Sequence, residues 1–157
     1  MDINLKIRLA YDHLQAGNIE QSIKICESII ANEPLNPYIL EFLGIIYHKK
    51  GDLQSAIKYI KKAAEIKPDS IETLINLGTL LEQQGKYHEA RECYYKVLQI
   101  NPESIIAKNK LGLIFLKTGQ FSEAVSVFEK LSEIHPTYEN FFNLGISYYK
   151  NNDISGK

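Results

Sequence analysis

Apolar residues along this chain recur at three- and four-residue steps, and the rhythm is broken at intervals by glycine or proline. Between Ile71 and Gln84, the residues Leu74, Leu77, Gly78 and Leu81 share one helix face. After Gly85, Tyr87, Ala90, Tyr94 and Val97 do so again. Gly85 suits a left-handed, helix-ending backbone. Pro102 stops the second segment, because proline lacks an N–H and restricts the residue before it. The pattern predicts two helices joined by a tight turn, with small Gly78 and Ala90 allowing them a close approach.

The same unit returns along the chain. Gly17, Gly51, Gly85 and Gly119 are spaced by 34 residues, and so are Pro34, Pro68, Pro102 and Pro136. Ser22, Ala56, Ala90 and Ala124 form a third ladder; Leu9-Ala10, Leu43-Gly44, Leu77-Gly78 and Leu111-Gly112 form a fourth. Ladders sharing one such period mark a repeat architecture. The expected organisation is a single all-α domain over residues 1–157, built of helix-turn-helix hairpins at 3–36, 37–70, 71–104 and 105–138, followed by a first helix alone at 138–154. Asn36-Pro37 is a helix start with a capping side chain before a first-turn proline. Asp69 to Glu72 has capping-box spacing, and Asn18 and Asp52 are placed to cap second helices.

In the last unit Phe141, Leu144-Gly145 and Tyr148 keep the pattern, with one residue missing between Pro136 and Gly145. Asn151-Asn152-Asp153-Ile154 aligns with Lys50-Gly51-Asp52-Leu53, where a second helix should begin. Phe141, Leu144 and Tyr148 are therefore expected to lose part of their packing. Solenoids need end caps, so the chain is read as part of something longer, or its last helix as a cap covered by another protomer.

These residues resemble the tetratricopeptide-repeat family. The motif is carried by Leu40, Leu43-Gly44, Tyr47, Gly51, Ala56, Ile60, Ala63 and Pro68, by Leu74, Leu77-Gly78, Leu81, Gly85, Ala90, Tyr94, Val97 and Pro102, and by Leu111-Gly112, Phe115, Gly119, Ala124, Phe128, Leu131 and Pro136. The first repeat departs from it, with Lys6 at a large apolar position and His13 at an aromatic one, as suits an end repeat. The resemblance implies a right-handed superhelical solenoid of about four and a half repeats, whose first helices line a concave groove. Carried onto this chain, the groove positions run from Asn4, Ile7, Arg8, Tyr11, Leu14 and Gln15 in the first helix to Glu139, Phe142, Asn143, Ile146, Tyr149 and Lys150 in the last. The peptide-binding set expected from them is Tyr11, Tyr38, Phe42, Ile45, Asn76, Thr79, Asn109, Lys110, Leu113, Phe142, Asn143 and Ile146.

Composition narrows the chemistry. There are 18 basic and 19 acidic residues, so no basic excess exists to replace the counterions of nucleic acid. No apolar run reaches the roughly 18 residues of a membrane span, and the first residues lack a signal-peptide layout. Cys26 and Cys93 are too few and too far apart for a disulfide framework, which points to a reducing cytoplasm. Cys26 takes the place of an aromatic and is expected to be a small buried hydrophobe, Cys93 to be partly exposed. His13, His48, His88 and His135 fall in separate hairpins without ligand spacing, so no metal or cofactor is expected. Glu82, Glu89, Glu123 and Glu129 read as solvated faces, and no carboxylate pair is set for acid-base work.

The chain is thus expected to be a non-enzymatic adaptor that holds a peptide segment of a protein partner in the groove. Asn76 and Asn143 precede Leu-Gly pairs and offer a donor and an acceptor to an extended backbone. They look similar to two rungs of the asparagine ladder in the repeat arm of O-linked N-acetylglucosamine transferases. The family's carboxylate clamp is disfavoured, because Glu41 stands where a cation should be. Two other readings are kept: a substrate-recruiting arm of a larger enzyme such as a glycosyltransferase or sulfotransferase, and self-assembly into homo-oligomers through the half repeat.

Overall fold

The computed structural model describes residues 2–155, with side chains as far as Asn152. Among them are nine α-helices and no strand: α1 (Ile3–Gln15), α2 (Ile19–Ile30), α3 (Pro37–Lys50), α4 (Leu53–Ile66), α5 (Ile71–Gln83), α6 (Tyr87–Ile100), α7 (Ile105–Lys117), α8 (Phe121–Ile134) and α9 (Tyr138–Ser155). They fall into two compact units that divide after Leu80, within α5.

The glycine ladder works as its spacing predicts. Gly17, Gly51, Gly85 and Gly119 all have φ between 77° and 87°, the left-handed region where a side chain is costly. At the end of α3 the Gly51 N–H donates to the His48 carbonyl and the Asp52 N–H to the Tyr47 carbonyl, which satisfies carbonyls the helix leaves open. The same pair of bonds recurs at Gly17, Gly85 and Gly119.

The caps partly differ from expectation. Asn36 Oδ1 accepts from the Ile39 N–H at 3.3 Å, and Asp52 Oδ1 from the Ser55 N–H at 2.9 Å, as predicted. The α5 cap is Ser70, not Asp69: its hydroxyl accepts from the Thr73 N–H at 3.3 Å, because Ser70 stands next to the first helical residue. Asn18 makes no capping bond with its side chain. Ser104 caps α7 through the Ala107 N–H, and Thr137 Oγ1 accepts from the Asn140 N–H in α9. The caps Asn36, Ser70 and Ser104 follow their prolines by two residues and Thr137 follows Pro136 by one, so the missing residue lies in that loop.

In the first unit α1 packs on α2, α2 on α3 and α3 on α4. Its core joins Ala10, Leu14, Ile23, Cys26, Ile29, Ile39, Leu43 and Ile46. Leu14, expected on the groove, belongs to this core. Ser22, in register with the alanine ladder, is buried and donates its hydroxyl to the Ala10 carbonyl at 2.7 Å. In α3 and α4, Ile60 lies on the place a Cβ of Gly44 would fill.

In the second unit α6 packs on α7, α7 on α8 and α8 on α9. Phe128 covers Gly112 as Ile60 covers Gly44. The aligned turn position in the last unit, Asn152, does not end α9, which continues as helix to Ser155. Asparagine enters the left-handed conformation less readily than glycine, so the helix runs on. Side chains from Asp153 onward, and with them the alignment of Asp153-Ile154 with Asp52-Leu53, lie outside the described residues.

Candidate functional site

The groove positions of the first unit do come together. A pocket of about 390 Å³ is lined by Asn4, Ile7, Arg8 and Tyr11 from α1 and by Tyr38, Ile39 and Phe42 from α3. Tyr11 and Phe42 stack across it, with ring centroids 6.5 Å apart and planes inclined by 28°. Tyr11 is exposed, while Phe42 is half-buried and packs on the core of the unit, so the two rings wall the pocket from its core and solvent sides. Tyr38 is exposed and held from the other side, where Lys67 Nζ donates to its hydroxyl at 2.7 Å. The lining is apolar, with Asn4 and Arg8 as polar groups able to orient a ligand, as small-molecule and peptide pockets commonly are.

A smaller hollow of about 110 Å³ lies along the same unit, between Gly44, Ile45, His48 and Ile60 and the α5 residues Asn76, Thr79 and Leu80. Ile45 is exposed at its edge. Asn76 Nδ2 donates to Glu41 Oε1 at 3.3 Å, so this carboxamide is oriented by its neighbour. Five of the expected residues of this unit thus line two hollows on the first-helix face with Tyr11: Tyr38, Phe42, Ile45, Asn76 and Thr79.

The second unit disposes its groove positions differently. A pocket of about 330 Å³ is lined by Ile105, Ile106, Asn109 and Lys110 on α7 and by His135, Thr137, Glu139 and Asn140. Asn109 Nδ2 donates to Asn140 Oδ1 at 3.3 Å. Lys110 Nζ pairs with Glu82 Oε1 at 3.4 Å, and Lys117 Nζ approaches Glu82 Oε2 at 3.8 Å. Leu113 and Ile146 are half-buried, and Phe142 is exposed and stacked on Tyr138. Asn143 is only 7% exposed and its Nδ2 lacks a hydrogen-bond partner, so it does not present an amide as Asn76 does.

Two expectations are corrected. Glu82 is no solvated surface group: its side chain is 8% exposed, between two lysines and the Tyr94 hydroxyl, which donates to Oε1 at 2.5 Å. Cys93 is buried, not partly exposed. The residues in its register, Ile25, Tyr59 and Val127, are only half-buried, so the repeat pattern alone does not reveal this. Burial pushes the Cys93 thiol up to about 11, and burial followed by the nearby Glu27 charge pushes Cys26 up to about 12. Neither is a primed nucleophile, since the thiolate is the reactive form.

Among the described residues, no three His, Cys, Asp or Glu side chains could hold a metal ion together, and no helix is long and apolar enough to cross a membrane.

Comparison with known proteins bears on the fold. A crystal structure of MamA protein superposes with a TM-score of 0.86 at 21% identity, covering 96% of this chain and 82% of that one. A tetratricopeptide repeat protein from Parabacteroides merdae ATCC 43184 gives 0.89 at 23% identity, covering 96% and 60%. MamA from residue 41 to its end, from Desulfovibrio magneticus RS-1, gives 0.84 at 20% identity, covering 96% and 86%. At such identities the likeness concerns the all-α solenoid fold. No curated protein sequence matches the chain. The tetratricopeptide repeat family model matches residues 37–103 and 69–137, most of the length, and the chain belongs to the tetratricopeptide-repeat family.

Proposed function

We propose that this chain is a protein-interaction adaptor that takes a peptide segment of its partner on the first-helix face. The observation that carries this reading is the Tyr11–Phe42 pocket. It is an open apolar hollow of about 390 Å³ whose lining comes from the two first helices α1 and α3. An apolar side chain of the partner packs against the two rings, and burying one such side chain contributes about 1.5–3 kcal/mol. Asn4 and Arg8 at the rim supply donors to the backbone or to an acidic neighbour. Asn76, held by Glu41, and Thr79 extend the face with polar groups beside Ile45. In the second unit the corresponding face offers Asn109, Lys110, Leu113, Phe142 and Ile146.

Specificity on this reading comes from the order of apolar and polar positions. A partner with an aromatic or branched aliphatic residue for the pocket, and without a basic group against Arg8, is favoured. Affinity is expected near the micromolar range, ~8 kcal/mol, as suits exchange of partners.

The test is affinity capture from lysate by the native chain and by a Phe42→Ala, Asn76→Ala, Lys110→Ala triple variant, followed by titration of a synthetic peptide from the captured protein. Peptide binding that is lost in the triple variant supports the reading. Equal binding by both chains removes the first-helix face from the account.

A further inference from the structure

The turn that joins α2 to α3 carries an apolar residue that the fold does not use. One residue after the proline, the sibling turns have Asp69 and Glu103; here the place is taken by Leu35, which is 72% exposed. Tyr38, in the first turn of α3, is 66% exposed, and its counterparts are Glu72 and Ile106. An exposed apolar residue standing alone is ordinary, but these two wall one shallow hollow of about 390 Å³, with Pro34 and Pro37 in its lining. Tyr38 is also a wall of the Tyr11–Phe42 pocket, so the two hollows meet at one side chain. Lys67 fixes that side chain: its Nζ takes the Tyr38 hydroxyl as acceptor at 2.7 Å and lies 3.9 Å from the ring centroid. A ring held in place before a ligand arrives spares the ligand the cost of ordering it.

Charge says which ligand suits the two hollows. Arg8 is the only charged side chain that lines the Tyr11–Phe42 pocket. Among the described residues it makes no hydrogen bond or ion pair, not even with Asp12 one turn later. A guanidinium presents parallel N–H donors that match a carboxylate, so a free one beside an apolar hollow favours an acidic group and repels a basic one.

We propose that the partner segment is acidic and carries two apolar side chains that meet this chain on either side of the shared wall at Tyr38. The first packs against Tyr11 and Phe42. The second crosses Tyr38 and covers Leu35 in the α2–α3 turn. An aspartate or glutamate side chain next to the first pairs with Arg8. This rests on the peptide-binding reading of the first-helix face and adds to it the chemistry of the partner and a second anchor outside the groove. Leu35 and Arg8 are then specificity-determining residues. The leucine rewards a second apolar residue that the aspartate or glutamate of the sibling turns would not, and the arginine rejects lysine- and arginine-rich segments.

The test is selection from random peptides displayed on phage, fused at their C-terminal ends so that only side chains supply carboxylates. The baits are the 157-residue chain and its Tyr11→Ala, Arg8→Glu and Leu35→Asp variants. Leu35→Asp installs the residue type of the sibling Asp69, and Arg8 is exposed, so both variants should melt close to the native chain. Peptides enriched on the native chain should carry Asp or Glu next to an aromatic or branched aliphatic residue, with a second apolar residue nearby. The most enriched of them, made with an amidated C-terminus, should bind Leu35→Asp and Arg8→Glu each roughly tenfold more weakly. The Arg8→Glu loss should shrink as salt rises, and that variant used as bait should enrich Lys or Arg in place of the acid. Peptides that need Tyr11 but bind either Arg8→Glu or Leu35→Asp as tightly as the native chain overturn this proposal and leave the groove reading standing. No enrichment, or enrichment indifferent to Tyr11→Ala, overturns both. A dimer in sedimentation that Leu35→Asp dissolves assigns the turn to a second copy of the chain, and that too overturns the proposal.

Discussion

A Cβ added to Gly112 would lie 2.7 Å from Cζ of Phe128, closer than real Cβ atoms approach a ring carbon. The α7–α8 crossing is therefore set by a hydrogen atom facing a ring. Gly112→Ala should force the helices apart or push Phe128 from its rotamer, at a cost of about 1–3 kcal/mol. Gly145→Ala, in the same register but with open space around it, should instead gain up to about 1 kcal/mol from helix propensity. Urea unfolding of the two variants checks both. The opposite signs are the point, since a generic dislike of substitution would move both the same way.

Glu82 ties the end of α5 to two later helices of its unit. It accepts from the fully buried Tyr94 and stands between Lys110 and Lys117. Breaking a buried bond to a charged group costs more than its net worth, because the remaining partner is left desolvated. Glu82→Ala is expected to destabilise the unit by about 1–3 kcal/mol. Tyr94→Phe should cost less, since it removes a donor and leaves the carboxylate to the lysines. Thermal unfolding of the two single variants and the double variant should show non-additivity, the mark of a shared interaction.

The hairpins, their turns and most of the core were legible because they are periodic. Gly51, Ala56 and Ile60 recur in register, and the physics of a turn or a helix crossing acts on the residue type alone. The Glu82 pairing was not legible. Its lysines come from α7, and a glutamate on a helix looks the same whether water or Lys110 lies beyond it. Asp69 and Glu72 have capping-box spacing, yet the cap is Ser70, whose hydroxyl accepts from the Thr73 N–H. The decisive fact was where the helix begins. Asn143 shows the same limit. Its place before a Leu-Gly pair matches Asn76, but α9 turns its polar side inward, and that orientation depends on neighbouring helices rather than on spacing. The Tyr11–Phe42 pocket was half legible: both residues were picked out, but their stacking depends on the packing of α1 beside α3.

The two thiols give the chain an alkaline edge. Cys26 and Cys93 ionise at about 12 and about 11 in the folded state, both above the ordinary value, with burial as the main cause. A group raised on folding favours the folded state fully below its unfolded pKa, and loses that contribution as pH climbs toward the folded one. Stability should hold up to about pH 8.5, where unfolded thiols begin to ionise, and fall from there toward pH 11 and beyond. Cys26→Ala combined with Cys93→Ala should flatten that decline above pH 9, whatever it does to stability at neutral pH. Alkylation by iodoacetamide at pH 8 should be slow in the native chain and fast in urea. Rapid native alkylation of either residue would show that its thiol is not enclosed.

The groove reading makes its sharpest prediction at Phe42. This residue is half-buried and stacks on exposed Tyr11, so shortening either side chain opens the same pocket from opposite sides. If a partner's apolar residue packs against the two rings, Phe42→Ala and Tyr11→Ala should each weaken a bound peptide by about 1–3 kcal/mol, or ~5- to 150-fold in Kd. Phe42 also packs on the core of the first unit, so its truncation lowers stability as well. Tyr11, being more exposed, separates the two effects: its loss should weaken binding while leaving the melting temperature nearly unchanged. Tyr95→Ser, at an exposed apolar residue on α6, is the control and should leave affinity alone. A peptide shortened to alanine at its inserted position should lose affinity for the native chain yet bind the Tyr11→Ala variant with little further loss, because the two truncations remove the same contact. Additive losses in that cycle would place the peptide's anchor somewhere other than against Tyr11 and Phe42.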